Sequence, residues 1–561
     1  MQKNSTLILW SIIIISCLYH SAFLWLNDVL KVADSFAYLQ MAEYLWDFDA
    51  KWLWSGWFGF LYSLPIFLAG YLSSDLFMVA KIVNIILFWG TLLLLWRVSR
   101  LVLSETYCYL TLILFSLSPT FLHFNIHVLS ENIYIPLFLG VFLITYRFTQ
   151  QTLRADSSKI QVLQVAWVWC LIGLMYLTRA EAFIYILSVG IISITLLIRS
   201  HLSYAKFLYL WSIFFLSFFL LISPYLFHLH SITWEWWLTN KGASNLRQAE
   251  LRWVEKMDDS GFEKAVAELT EDKSQLIAWF AGWMEYVKPQ IEWSLWDFIL
   301  DNPRGFVLRV WKNQKKLLSK NIPEIFLWKS PHLYFSGDPK YSHIFFLLFV
   351  LTPLWVLILG IYNWYKKYPV FSQVLFAYCI PALIFFTLFF TLNRYFLIFL
   401  PFLIILFSIG LQSINLWKYS LLVKYVLIWN YIAVLLLSTL VYYNTEKDKD
   451  SYYEIKKQAG VWLSENLENT DNLGLMERFP IVTYYSWSRK RYITPYSDTI
   501  DDVYTYGSKN NIDLLVVDSL DFLTYRPSLS QYLERVPEGF TKLQEFSNPQ
   551  WQKVILYQLK K

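Results

Sequence analysis

Three groups of ionisable residues carry the chemistry that this sequence could perform. The first is Asp34 in KVADSFAYLQMAEYL, followed at steps of four by Tyr38 and Ala42. That spacing sets all three on one side of a helix. A carboxylate there can take a proton from an attacking group, or it can belong to a solvated interfacial face. Lys31, three residues earlier, is its expected ion-pair partner. The second group is HFNIHVLSE, with His123, His127 and Glu131 again four apart. Imidazole and carboxylate suit a divalent ion. Three ligands stacked along one helix face span about 12 Å, however, and cannot close on one ion without a break. No metal site is assigned, and Glu131 alone is the better candidate for a polar contact to substrate. The third group is basic: Arg179 beside Glu181 in LTRAEAF, and Arg394 with Tyr395 in TLNRYFLIFLP. An arginine at the end of an apolar segment either snorkels or holds a phosphate with several donors.

The elements that must position these groups are apolar. Of 561 residues, 57% are hydrophobic and 16% charged, against about 25% charged in a soluble domain. Apolar runs of membrane-crossing length recur, which defines a polytopic α-helical membrane protein of about 11–13 transmembrane helices. The expected spans are 6–26, 76–96, 102–121, 131–148, 162–178, 181–199, 206–228, 342–363, 369–391, 394–414 and 418–441. The first reads as a retained signal anchor. The net charge of +5 is spread along the chain, so nucleic acid is not an expected partner. Cys17, Cys108, Cys170 and Cys379 lie in apolar segments and read as small hydrophobes.

Basic clusters orient the chain. Arg97 with Arg100, Arg147 with Arg154 and Lys159, Arg199 with Lys206, and Lys366 with Lys367 belong in the cytoplasm. Segment 57–73 breaks the alternation if it crosses. It is short and holds Gly59, Pro65 and Gly70, so it is expected to be re-entrant, buried against protein. Eleven crossings follow, with twelve as the alternative. In this topology the Asp34 helix, Glu131, Arg179, the long loop 229–341 and Arg394-Tyr395 converge on the outer face. Ionisable residues at membrane depth are costly and usually functional.

The expected domains are a transmembrane domain, 1–441, with outer loops 27–56 and 229–341, and an extracytoplasmic soluble α/β domain, 442–561. In the latter, YEIKKQAGVWLSENL and RPSLSQYLERV read as helices. NLGLME, IVTYYS, IDLLVVDSL and WQKVILYQL read as strands. Asp518 closes an apolar strand, where α/β folds often place ligands and where turn or cap residues are commoner. The sequence has no G-x-x-x-x-G-K-[ST], G-x-S-x-G or H-E-x-x-H motif. Inverted repeats of a secondary transporter are not evident.

In order and sidedness these pieces resemble the polytopic glycosyltransferases of the GT-C fold, specifically the protein mannosyltransferase and aminoarabinose transferase group. The resemblance covers most of the chain. Asp34, Tyr38 and Ala42 match the first-loop D-x-x-x-Y-x-x-x-A motif. GFLYSLPIFLAGYL sits where such proteins carry a Pro-Gly-Tyr-Pro type segment. HVLSENIYIPLFL, YLTRAEAFIYI, TNKGASNL, DNPRGFVLRVWKN and RYFLIFLPFLIILFSIGL resemble later loops and span starts. Two features depart: Asp34 stands alone instead of in an acidic pair, and SGWFGFLYSLP lacks the usual Arg and Pro-Gly. The resemblance implies a sugar donor linked to polyprenyl phosphate and a lipid, glycan or protein acceptor. Asp34 would be the base, with Tyr38, Glu131, Arg179, Lys241, Arg394 and Tyr395 binding substrate. A divalent metal ion is left as an open cofactor. It further implies a bacterial plasma membrane with the C-terminal domain outside. A flippase of a lipid-linked sugar and a non-catalytic envelope-assembly protein are the alternatives.

Overall fold

The computed structural model describes residues 2–46, 59–73, 75–154, 159–199, 203–233, 299–300, 302–317, 352–388, 393–414, 420–488, 490–495, 497 and 499–560. Lys241 and most of loop 229–341 lie outside the described residues. The first helices are α1 Gln2–Leu26, α2 Ala33–Trp46, α3 Ser63–Gly70, α4 Leu76–Ser99, α5 Glu105–Ser116 and α6 Pro119–Ile126. Next come α7 Glu131–Leu153, α8 Lys159–Thr178, α9 Ile184–Arg199, α10 Tyr204–Thr233 and α11 Pro303–Lys316. Then follow α12 Thr352–Lys367, α13 Pro369–Leu388, α14 Asn393–Phe396, α15 Leu400–Ser413 and the 47-residue α16 Ser420–Asn466.

By length and composition, eight helices among the described residues can cross a membrane, and nine if the bent pair α5–α6 counts as one span. Helix is the expected solution, because it satisfies every backbone donor and acceptor within the segment. Each of the eight matches an expected span. Expected spans 162–178 and 342–363 correspond to shorter helices, an apolar run Val162–Thr178 and α12, before which residues 318–351 are not described. Of segment 57–73, the described residues 59–73 contain a 3₁₀ turn, Phe60–Tyr62, and α3. A helix of that length reaches about half of the ~30 Å hydrocarbon core, consistent with a segment that does not cross.

The expected single span 102–121 is instead a helix pair bent by 57°. Pro119 has no N–H and disfavours helix in the residue before it. Ser118 caps the second helix, accepting from Phe121 N at 3.4 Å. His20 of α1 fills the break: its Nε2 lies 2.9 Å from Ser116 O, and Asn125 Nδ2 lies 2.9 Å from its Nδ1. A carbonyl needs a donor and an amide N–H needs an acceptor, so this imidazole is the neutral Nε2–H tautomer. Its ring is buried beside Phe88, with centroids 4.0 Å apart. Elsewhere α12 and α15 meet at small residues. A Cβ on Gly360 would collide with the Leu406 carbonyl, and one on Gly410 with that of Val356. Such close backbone approach is how helices associate where lipid offers no hydrophobic drive. We predict that His20→Leu lowers stability by about 1–3 kcal/mol, since it strands two buried polar groups. Thermal unfolding of purified protein in detergent checks this.

The chain divides into two compact units. Of the described residues, those within 1–26, 59–228 and 310–444 form the first; those within 27–58, 229–309 and 445–561 form the second. The second unit contains a five-stranded sheet in the order β2-β1-β3-β5-β4. Its elements are β1 Gly474–Glu477, α17 Ile481–Tyr485, β2 Lys490–Ile493, α18 Ile500–Lys509, β3 Leu514–Asp518, α19 Ser519–Tyr525, β4 Phe540–Ser547 and β5 Lys553–Leu559. β2, β1 and β3 run parallel, and β5 runs antiparallel to both of its neighbours, β3 and β4. Tyr452, Ile455, Ala459 and Leu463 of α16 pack on one face over Val516 and Leu556. Val503 of α18 and Phe522 of α19 pack with Leu515 and Val517 on the other.

One expectation is corrected here. IVTYYS is not a strand but α17: the buried Glu477 carboxylate accepts from Val482 N at 3.2 Å and Thr483 N at 2.7 Å, capping a helix start. RPSLSQYLERV, read as a helix, is helical over Pro527–Leu533 and of the 3₁₀ type.

Asp518 is a helix cap and ion-pair partner. It accepts from Asp521 N at 2.8 Å, and Lys456 Nζ lies 3.1 Å from Asp518 Oδ2 and 2.9 Å from Asp521 Oδ2. Tyr452 OH also donates to Asp518. All four side chains are buried. One lysine cannot neutralise two buried carboxylates. Burial, with the Asp518 charge beside it, pushes Asp521 up to about 8. Burial likewise pushes Glu477 up to about 7. A carboxyl whose folded pKa lies above its unfolded value stabilises the fold fully below the unfolded pKa, near 4. That contribution is lost as pH rises towards the folded pKa. We predict that the domain loses stability from about pH 4 to about pH 8, and that Glu477→Gln removes on the order of 3 kcal/mol of that decline. Thermal unfolding across this window provides the measurement.

Candidate active site

Glu131 opens α7, and a buried carboxylate in the first turn faces the positive end of a helix. Its partner comes from the junction after α8. There Arg179 adopts an extended conformation, φ −152° and ψ 121°, before the 3₁₀ turn Ala180–Phe183. Arg179 N still donates to Met175 O at 2.8 Å, and Ala182 N donates to Arg179 O at 3.0 Å. The guanidinium is thereby aimed at Glu131, with which it forms a buried ion pair through Nη1. Nη2 lies 3.5 Å from Glu181 Oε1.

Arg394 and Tyr395 enter this cluster from α14. The Arg179 guanidinium lies 5.0 Å from the Tyr395 ring centroid and 5.9 Å from that of Tyr134. Arg394 lies 5.7 Å from the Tyr395 centroid. Phe386 of α13 stacks on Tyr395 at 5.2 Å with planes 14° apart. Three segments distant in sequence are thus brought together: Glu131, Arg179–Glu181 and Arg394–Tyr395. Two cations and two anions share one largely desolvated place. Glu131 Oε2 is buried with no hydrogen-bond partner among the described residues. Arg179 and Arg394 bring two guanidinium groups to this place, and such groups suit an anionic ligand.

Tyr134 escaped the sequence reading, although its place one turn after Glu131 was a signal. His123 and His127 do not line a helix with Glu131. α6 ends at Ile126, His127 is extended, and its carbonyl accepts from Asn84 and Asn132. The histidine rings are 4.7 Å apart, yet no group of three metal-type ligands occurs among the described residues.

Asp34 lies in the other unit, in the first turn of α2. It is half-buried, while Tyr38 and Ala42 are buried. The helix is not a solvated face, for Ser35 to Ala42 are all buried. Lys31 does not pair with Asp34 as the spacing suggested. It pairs with Asp450 of α16, 419 positions away and invisible to local spacing. Other contacts moor the same segment. Leu30 N donates to Tyr485 OH at 2.9 Å, Lys457 Nζ lies 3.4 Å from Asp28 Oδ2, and Phe36 meets Tyr484 edge-on at 6.1 Å. The Asp34 helix is therefore fastened at its base to α16 and α17. Lys241 lies outside the described residues.

The fold is that of the GT-C membrane glycosyltransferases, polytopic helices followed by a C-terminal domain. In particular, the chain is similar to the archaeal oligosaccharyltransferase AglB from Archaeoglobus fulgidus, solved with an inhibitory peptide and a dolichol-phosphate. There the identity is 12%, the TM-score 0.56, and the match covers 98% of this chain and 74% of that one. The apo form of the Archaeoglobus fulgidus oligosaccharyltransferase gives a TM-score of 0.57 over the same shares, also at 12% identity. ArnT from Cupriavidus metallidurans bound to undecaprenyl phosphate gives 0.54 at 10% identity, over 99% of this chain and 98% of that one. No family model and no curated protein matches the sequence.

The buried ion pair has a direct energetic consequence. We predict that Glu131→Gln, which removes the buried carboxylate paired with Arg179, costs about 3–5 kcal/mol. The double variant Glu131→Gln with Arg179→Gln is expected to recover much of the loss. A double-mutant cycle on thermal stability measures the coupling, and additive single effects would contradict it.

Proposed function

We propose that this protein is a membrane glycosyltransferase that moves a sugar from a polyprenyl-phosphate donor to an acceptor on the extracytoplasmic side. The observation that supports it is a fold shared along 98–99% of the chain with proteins solved with dolichol-phosphate or undecaprenyl phosphate. The buried cluster of Glu131, Arg179, Arg394 and Tyr395 supplies fitting chemistry. A lipid phosphate carries its own leaving group, so no nucleotide-binding loop is required.

In the proposed reaction an acceptor O–H or N–H attacks the anomeric carbon. Asp34 takes the proton as the new glycosidic bond forms. The bond from the anomeric carbon to the phosphate oxygen breaks, and its electron pair leaves with polyprenyl phosphate. Arg394 and Tyr395, with Arg179 and Lys241, offset the charge that develops on that phosphate. Tyr38 and Glu131 orient the sugar and the acceptor. A single displacement inverts the anomeric centre. The acceptor is a lipid, glycan or protein of the cell envelope, and the membrane is the bacterial plasma membrane with the C-terminal domain outside.

The test is transfer of labelled sugar from a polyprenyl-phosphate donor by purified protein. Asp34→Asn is expected to slow transfer by about 10² to 10⁴, with the fold intact by thermal unfolding. An unchanged rate would remove Asp34 from the chemistry. Movement of labelled lipid between leaflets with no transfer by wild type would favour a flippase instead.

A further inference from the structure

Helix α11 is built inside out for a helix on a soluble surface. Asn302 caps it, with Oδ1 accepting from Gly305 N at 2.8 Å, and Pro303 fills the first helical position. Its buried line runs Gly305, Arg309, Asn313 and then Leu317, at steps of four and largely polar. The opposite arc is exposed and carries the apolar side chains: Val307 at 65%, Leu308 at 45% and Trp311 at 65% exposure. Arg304 and Lys315 lie exposed on the same arc, and the helix contains no acidic residue. A soluble amphipathic helix turns its apolar stripe inward. One that turns it outward, among cations, has the pattern of a helix lying in a membrane interface.

A second contact fixes the depth. Asn313 Nδ2 donates to Thr387 O at 2.9 Å. Thr387 is in the last turn of α13, one of the membrane-crossing helices. The buried line of α11 is thus tied to the Leu388 end of a 20-residue apolar helix, and a helix of that length reaches the headgroup level when it spans a bilayer.

We propose that α11 lies in the plane of the bilayer at the Leu388 end of α13, with Val307, Leu308 and Trp311 in the acyl boundary and Arg304 and Lys315 on the headgroups of anionic phospholipid. Trp and flanking basic side chains suit this layer, since one end of each is apolar and the other polar. Charge complementarity selects anionic over zwitterionic headgroups, at about fivefold per basic residue. The assignment is independent of any transferase activity.

The experiment uses the full chain in nanodiscs, with its four cysteines replaced and a nitroxide attached to Val307→Cys or Trp311→Cys. A label at Lys509→Cys, exposed on α18, is the aqueous control. Labels at 307 and 311 are expected to be accessible to oxygen and shielded from an aqueous nickel chelate, with the control showing the reverse. Nickel accessibility equal to that of the control would overturn the membrane assignment. The shielding is expected to be greater in phosphatidylglycerol than in phosphatidylcholine nanodiscs. Arg304→Gln with Lys315→Gln should abolish that difference. Equal shielding in both lipids before the substitutions would overturn the anionic assignment.

Discussion

The packing of the membrane part of this molecule depends on one constraint: a polar group withdrawn from water is costly unless it finds a partner inside the protein. The Glu131–Arg179 pair is its sharpest instance. Arg179 is positioned by a short extended break between two helices, and Glu131 by the start of another. Neither charge is tolerable alone at that burial, so the segments around 131 and 179 are compelled to meet. Tyr134 and Tyr395 then close over the guanidinium with their ring faces. The same rule explains His20, which pairs both ring nitrogens where a proline breaks the span.

How much of this was legible in the sequence follows from how local each signal is. The spans were legible because apolar length is a property of the segment itself. The bend at Pro119 had a written cause, Ser118-Pro119, but apolarity runs through it and hides the break. Strands β1, β3 and β5 are apolar inner strands and were visible. β2 and β4 stand at the two edges of the sheet, with polar sequences KRYI and FTKLQEFS, and were not. IVTYYS looked like a strand because Ile, Val and Thr favour extended chain; a carboxylate from Glu477 decides otherwise.

Of the candidate site, residue types were readable and partnerships were not. Lys31 had an acid three residues away, yet its partner is Asp450. Arg179 had Glu181 beside it, yet its closer partner is Glu131. Tertiary geometry outweighed sequence spacing in both cases: Lys31 reaches Asp450, and the more deeply buried Glu131 lies closer to Arg179 than Glu181 does. The C-terminal domain, for which the sequence offered no catalytic constellation, turns out to anchor the base of the Asp34 helix through Asp450, Lys457 and Tyr485. Its own charged cluster of Lys456, Asp518 and Asp521 holds α16 to the sheet beneath it.

We propose that a polyprenyl phosphate is the molecule this cluster of arginines and tyrosines receives. Mass spectrometry of lipid retained by the purified protein tests it most directly. A polyprenyl phosphate or its glycosylated form is expected in the retained fraction, depleted when Arg394 is replaced by Gln. Recovery of bilayer phospholipid alone, even after loading with excess polyprenyl phosphate, would contradict it.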